Sequence, residues 1–133
     1  MNYAAKAYAR AVTQTAPPRE LEATLLLNAA AKLNAALDAW NANAKDILDE
    51  AILYNRRLWT VFIDAVNQKD SKLPPEVRRN LLRLGVYIMA ETYSLMTEPK
   101  PEHLHNIIKI NRGIAAGLRG KTLSDSLEER RAG

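Results

Sequence analysis

The sequence predicts an all-α protein: a small bundle of four main helices, with an N-terminal helical arm and a short C-terminal tail. Three observations predict it. Apolar residues recur at three-four spacing through four long stretches, the mark of helices with one buried face. Proline or asparagine clusters separate those stretches. The chain is 47% apolar but only 6% aromatic, and much of the apolar content is alanine, the best helix former. No stretch shows a competing strand pattern. The length of 133 residues fits one domain with its own core. That domain is placed at 1–120, with 1–16 as the arm and 121–133 as a flexible tail.

In the arm, Tyr3, Ala7, Tyr8, Ala11 and Val12 line one face of about three turns. Chain termini that carry such a face usually dock on their own domain, and docking is expected here ahead of a mobile grip on a partner. Pro17-Pro18 ends that pattern and opens the next, since proline is tolerated in a first turn. The first main helix runs from about Pro18 to Trp40. Its face is Leu25, Leu26, Ala29, Leu33, Ala36, Leu37 and Trp40, and Glu20 and Glu22 suit the positive end of its dipole. Asn41-Ala42-Asn43 breaks it, and Asn43 reads as the N-cap of the second helix, which reaches about Asn67.

The second helix holds Asn55-Arg56-Arg57-Leu58-Trp59-Thr60-Val61-Phe62, around which the rest of the bundle is organised. Leu48, Ala51, Ile52, Asn55, Trp59, Phe62 and Val66 fall on one face, flanked by Leu58 and Ile63. A stripe this wide calls for more than one neighbour. Trp59 and Phe62 are expected in the core. Leu73-Pro74-Pro75-Glu76 starts the third helix, which ends near Met96. That helix carries two adjacent apolar rows. One is Val77, Leu81, Leu84, Ile88 and Leu95; the other is Leu82, Gly85, Val86, Met89, Tyr93 and Met96. Two rows mean two packing partners, or one partner and a docking surface. Gly85 costs about 1 kcal/mol against alanine, and a close helix crossing would explain it. Glu98-Pro99-Lys100-Pro101 is a rigid turn. The fourth helix runs from about Glu102 to Arg119, with Leu104, Ile107, Ile108, Asn111, Ile114, Ala115 and Leu118 inward and Gly120 as its stop.

The formal charge of +4 is unevenly placed. Asn55 to Gly85 alone holds Arg56, Arg57, Lys69, Lys72, Arg78, Arg79 and Arg83 against Asp64, Asp70 and Glu76, which accounts for the whole excess. With the second and third helices as neighbours, Arg56, Arg57, Arg78, Arg79 and Arg83 form a basic patch. It suits a solvated face, an acidic protein partner or RNA phosphates. Single-stranded RNA also calls for exposed aromatics, and Trp59 and Phe62 read as buried. The absence of cysteine excludes disulfides and thiolate chemistry. No apolar run approaches the ~20 residues that span a bilayer. The opening Met1-Asn2-Tyr3-Ala4-Ala5-Lys6 lacks the pattern of a signal peptide, so the expected compartment is the cytoplasm, with no membrane insertion.

Nothing in the chain reads as a catalytic site, and no enzyme, cofactor or metal is expected. His103 and His105 point to different helix faces and read as exposed first-turn residues. Asp46, Asp49 and Glu50 read as a solvated acidic first turn. The glycines form no phosphate loop. Asn55 and Asn111 each sit mid-stripe and must find hydrogen bonds if buried. A structural role, fixing register through a neighbouring backbone or helix end, is favoured over a groove for a partner.

Three blocks carry a family resemblance: Asn55-Arg56-Arg57-Leu58-Trp59-Thr60-Val61-Phe62, Leu73-Pro74-Pro75-Glu76-Val77-Arg78 with Asn80-Leu81-Leu82, and Ile110-Asn111-Arg112-Gly113-Ile114-Ala115-Ala116-Gly117-Leu118-Arg119-Gly120. With the opening Tyr3 to Ala11 and the Pro17–Leu37 helix, the chain resembles the flagellar biosynthesis regulator FlaF family over residues 2–120. The resemblance implies a non-enzymatic role in flagellin synthesis and export, beside a second regulator, FlbT, that acts on flagellin messenger RNA. Its most concrete form is a cytoplasmic secretion chaperone that holds flagellin helices in an apolar groove. The alternative is an RNA-binding regulator of flagellin messenger RNA. The resemblance transfers no binding residues. From the chain's own pattern, the candidate partner-binding residues are Tyr54, Arg56, Arg57, Leu58, Arg78, Arg79, Leu82, Met89 and Tyr93. Flagellin is the expected partner, with FlbT second and RNA behind both.

Overall fold

The computed structural model describes residues 18–69 and 72–120. The expected arm at 1–16 and tail at 121–133 lie outside the described residues. Four helices follow in order: α1 (Pro18–Asp38), α2 (Lys45–Val66), α3 (Pro75–Thr97) and α4 (Pro101–Leu118). A short 3-10 turn, Trp40–Ala42, links the first two. Among the described residues there is no strand.

Short connections force consecutive helices to pack side by side. α1 packs on α2, α2 on α3, α3 on α4, and α4 closes the ring against α1 in the most extensive interface. An ion pair from Arg119 to Glu20, 2.9 Å, ties the end of α4 to the start of α1. α1 and α3 therefore lie on one diagonal of the bundle, and α2 and α4 on the other.

The wide stripe of α2 fills the centre. Trp59 and Phe62 are buried and meet edge to face, 5.4 Å apart at 82°. Each buries a large apolar area, and the T-shaped contact adds to it. Asn55 and Asn111 are both buried, as their position mid-stripe predicts. Their partners differ from the expected backbone groups. The Trp59 indole N–H donates to Asn111 Oδ1 at 2.9 Å, and the Asn111 amide donates to Asn55 Oδ1 at 2.7 Å. This chain joins α2 to α4 across the diagonal. It fixes their register, because a one-residue slip would strand three buried polar groups at about 1–3 kcal/mol each. The Asn55 amide N–H₂ has no partner among the described residues, so the junction already bears one such cost.

Gly85 marks the α2–α3 crossing. A Cβ there would lie 2.6 Å and 2.7 Å from the side chain of Ile63, so the close approach expected from the sequence is present. Proline sets two helix starts, with Pro75 and Pro101 in first turns, where a missing N–H costs nothing. Gly120 sits at φ 72 just past α4, the left-handed stop that glycine favours.

Three expectations are corrected. α1 ends at Asp38 rather than Trp40, because the chain tightens into the 3-10 turn. Asn43 is not the N-cap of α2: it holds φ 60, ψ 33, and Ala44 occupies the cap position without a side-chain bond. Asparagine serves there because it tolerates the left-handed region. Val77 does not join the core row. It lies in the first turn of α3 and stays exposed.

Candidate functional site

Among the described residues, the second apolar row of α3 is left largely exposed. Leu82 and Met89 are half-buried against the core, while Val86, Tyr93 and Met96 keep 73%, 68% and 57% of their surface exposed. At 100° per residue, Leu82, Val86, Met89, Tyr93 and Met96 form one stripe along the flank that turns toward α2. The Gly85 contact with Ile63 fixes that side, since Gly85 lies next to the stripe. Single exposed apolar residues are ordinary on a surface; three in register on one helix, with two half-buried ones in the same row, are not.

The stripe runs on into a groove of about 660 Å³ at the end of the bundle where α1 turns into α2. Ala36 and Trp40 form its floor on one side, and Leu48, Ile52 and Leu53 the α2 wall. Leu95, Met96 and Pro99 supply the α3 side, and Arg56 stands at its edge. Met96 belongs to both stripe and groove, so the two form one continuous surface. Local sequence explains the opening. Leu53 is exposed because α2 has its wide apolar face satisfied one quarter-turn away. Trp40 is only half-buried because the helix that would have carried it inward has ended.

The sequence-derived site residues fall on two different flanks. Arg56, Leu82, Met89 and Tyr93 border the α2–α3 surface. Tyr54 and Leu58 lie on the opposite flank of α2, toward α1. Tyr54 is half-buried with the Lys32 ammonium 5.2 Å from its ring centroid, and Leu58 is buried in the core. An apolar groove beside Tyr54 and Leu58 is therefore not available, because α1 already fills it. Arg57 is exposed on the outer face of α2, and Arg79 is exposed on α3. Arg78 is engaged: its guanidinium donates to the Asn67 carbonyl at 3.1 Å, capping the end of α2. Val86, Met96 and Leu53 complete the face. The first two were legible in the second row of α3, whereas Leu53 gave no signal, since its face depends on which neighbour α2 meets.

A polar cluster fastens α3 to α4 on the far side. Glu91 Oε2 meets His103 Nδ1 at 2.8 Å and accepts from the Asn106 amide at 3.3 Å. His103 is therefore half-buried and bonded, not the exposed first-turn residue its position suggested, while His105 is exposed. Desolvation raises the Tyr87 pKa above the usual tyrosine value, and the charge and hydrogen-bonding pull of Glu91, one turn along α3, raise it further. This cluster holds the bundle together and leaves the α2 side of α3 untouched.

The described helices include none long and apolar enough to cross a membrane. The model of the family described as flagellar protein FlaF matches residues 4–118. No curated protein and no solved structure gives a significant match.

Proposed function

The chain belongs to the FlaF family of flagellar proteins, and from that premise we propose that it is a non-enzymatic regulator of flagellar assembly, a cytoplasmic secretion chaperone that binds flagellin. The observation that carries this reading is the uncovered stripe of α3 and the groove it runs into. A chain that assembles through helices needs those helices shielded until export. A helix laid along Leu82, Val86, Met89, Tyr93 and Met96 would bury both apolar faces at once, the helix-in-groove mode. Such burial contributes roughly 25 cal/mol per Å² before the costs of association.

A second reading is an RNA-binding regulator of flagellin messenger RNA. The exposed Arg56, Arg57, Arg79 and Arg83 favour it, together with the exposed Tyr93. Against it, Tyr87 and Tyr93 project about 120° apart on α3, so they offer no shared stacking platform. Arg78 is already committed to Asn67.

One experiment separates the two. The purified protein is used to capture flagellin at low and high salt, with a mobility-shift assay on flagellin leader RNA alongside. The chaperone reading expects flagellin capture that persists at high salt and weakens at least about tenfold in Val86→Ser/Tyr93→Ser. Absence of flagellin in every condition, with leader RNA shifted and the shift lost steeply with salt, sinks it.

A further inference from the structure

We propose that the α2–α3 face takes an amphipathic helix whose apolar stripe is bordered by acidic residues. This rests on the helix-in-groove reading above and adds the chemistry of the occupant. The stripe from Leu82 to Met96 is about 21 Å long at the helical rise, so it matches four turns of a partner helix. Its borders are charged. On α3, Arg79 and Arg83 lie along the outer edge of the stripe, next to Val86. On α2, Arg56 stands on the opposite wall and lines the groove together with Leu95 and Met96 of α3. All three arginines are exposed, and their guanidinium groups make no ion pair or hydrogen bond among the described residues. Lys45 and Asp49 stand at the groove end. The middle of the face is therefore apolar, with a basic α3 rim at Arg79 and Arg83 and a mixed α2 rim of Lys45, Asp49 and Arg56.

The arrangement selects among occupants. A second copy of this face would bring arginine rims against arginine rims, which opposes a symmetric dimer. A helix with basic borders would be repelled by Arg79 and Arg83 along the α3 side and by Arg56 on the other. A helix with glutamate or aspartate flanking its apolar stripe meets Arg56 on one side and Arg79 with Arg83 on the other. Such rim pairs are individually weak, and they set choice and orientation more than total affinity.

The test uses two synthetic helical peptides of about 18 residues with the same leucine–methionine stripe, flanked by glutamate in one and lysine in the other. Fluorescence anisotropy with the full chain is expected to favour the glutamate peptide about tenfold, with the preference shrinking as salt rises. Arg56→Glu/Arg79→Glu/Arg83→Glu should reverse the preference, and circular dichroism should show these exposed substitutions leaving the fold intact. Equal binding of the two peptides, a preference that survives the triple substitution, or single-stranded RNA outcompeting the glutamate peptide would each overturn the proposal. So would a chain that sediments as a dimer with Tyr93 shielded. Flagellin capture with no peptide preference overturns this inference alone. Peptide preference without flagellin capture supports it and removes flagellin as the client.

Discussion

α1 and α3 face each other across the bundle, at similar lengths, and use their apolar residues differently. α1 buries Ala23, Leu25, Leu26, Ala29, Ala30, Leu33 and Ala36, and none of its large apolar side chains is exposed. α3 buries only Gly85, Ile88, Thr92 and Leu95, and exposes Val77, Val86, Tyr87, Tyr93 and Met96. The difference comes from side-chain size. Alanine on α1 lets α2 and α4 approach from both sides, so a broad arc of its surface is covered. α3 approaches α2 closely at Gly85, and the residues beside it on that flank are larger. The lesson is that an apolar residue stabilises the bundle on α1 but is held in reserve on the outer flank of α3.

The comparison breaks most directly with truncations of matched kind. Leu33→Ala, at a fully buried position on α1, should cost about 2–5 kcal/mol in urea denaturation. Tyr93→Ser, which removes a larger side chain from α3, should change stability by no more than about 0.5 kcal/mol. If the tyrosine substitution costs as much as the leucine one, the stripe is structural and the docking face disappears with it.

Much of this contrast could be read from residue order, and the limit of that reading is specific. The two rows of α3 announced more apolar surface than one neighbour could cover, and Gly85 announced the close crossing. Proline fixed the starts of α3 and α4 because its chemistry is local. What stayed hidden depended on partners distant in sequence. His103 looked exposed because its carboxylate partner, Glu91, sits on another helix. Tyr54 and Leu58 looked like groove residues because a helical wheel tells which residues share a face, not which neighbour takes that face. Asn43 combined with Asp46 as an N-cap and first turn would, but a left-handed stop uses the same residue type. Burial of Asn55 and Asn111 followed from their positions, whereas their direct bond to each other and the Trp59 indole bond to Asn111 did not.

Glycine sharpens the comparison on a smaller scale. Gly85→Ala gains about 1 kcal/mol of helix propensity but drives a methyl into Ile63, and overpacking of that kind costs about 1–3 kcal/mol. A net loss of about 1 kcal/mol is expected. In an Ile63→Ala background the same substitution should become stabilising. Gly113→Ala on α4 meets open space, so it should simply stabilise by about 0.5–1 kcal/mol. Thermal melts of the three proteins decide it, and a neutral Gly85→Ala would mean that α3 does not hold α2 tightly even there.

The smallest effect tests how α3 is held on its other side. The folded state raises the Tyr87 pKa, through desolvation and then through Glu91, so folding favours the protonated phenol. Below the ordinary tyrosine value both folded and unfolded chains hold that proton, and the Tyr87 contribution is fully present. As pH climbs through the raised folded value the unfolded chain has already released its proton, and the contribution is lost. Urea midpoints measured between about pH 9 and about pH 11 should therefore fall less steeply in Tyr87→Phe than in the unaltered chain. Only the difference between the two slopes reports on Tyr87. Identical slopes would mean that the Glu91 carboxylate is committed to His103 and Asn106, the α4 groups that fasten α3, and leaves Tyr87 on its own helix untouched.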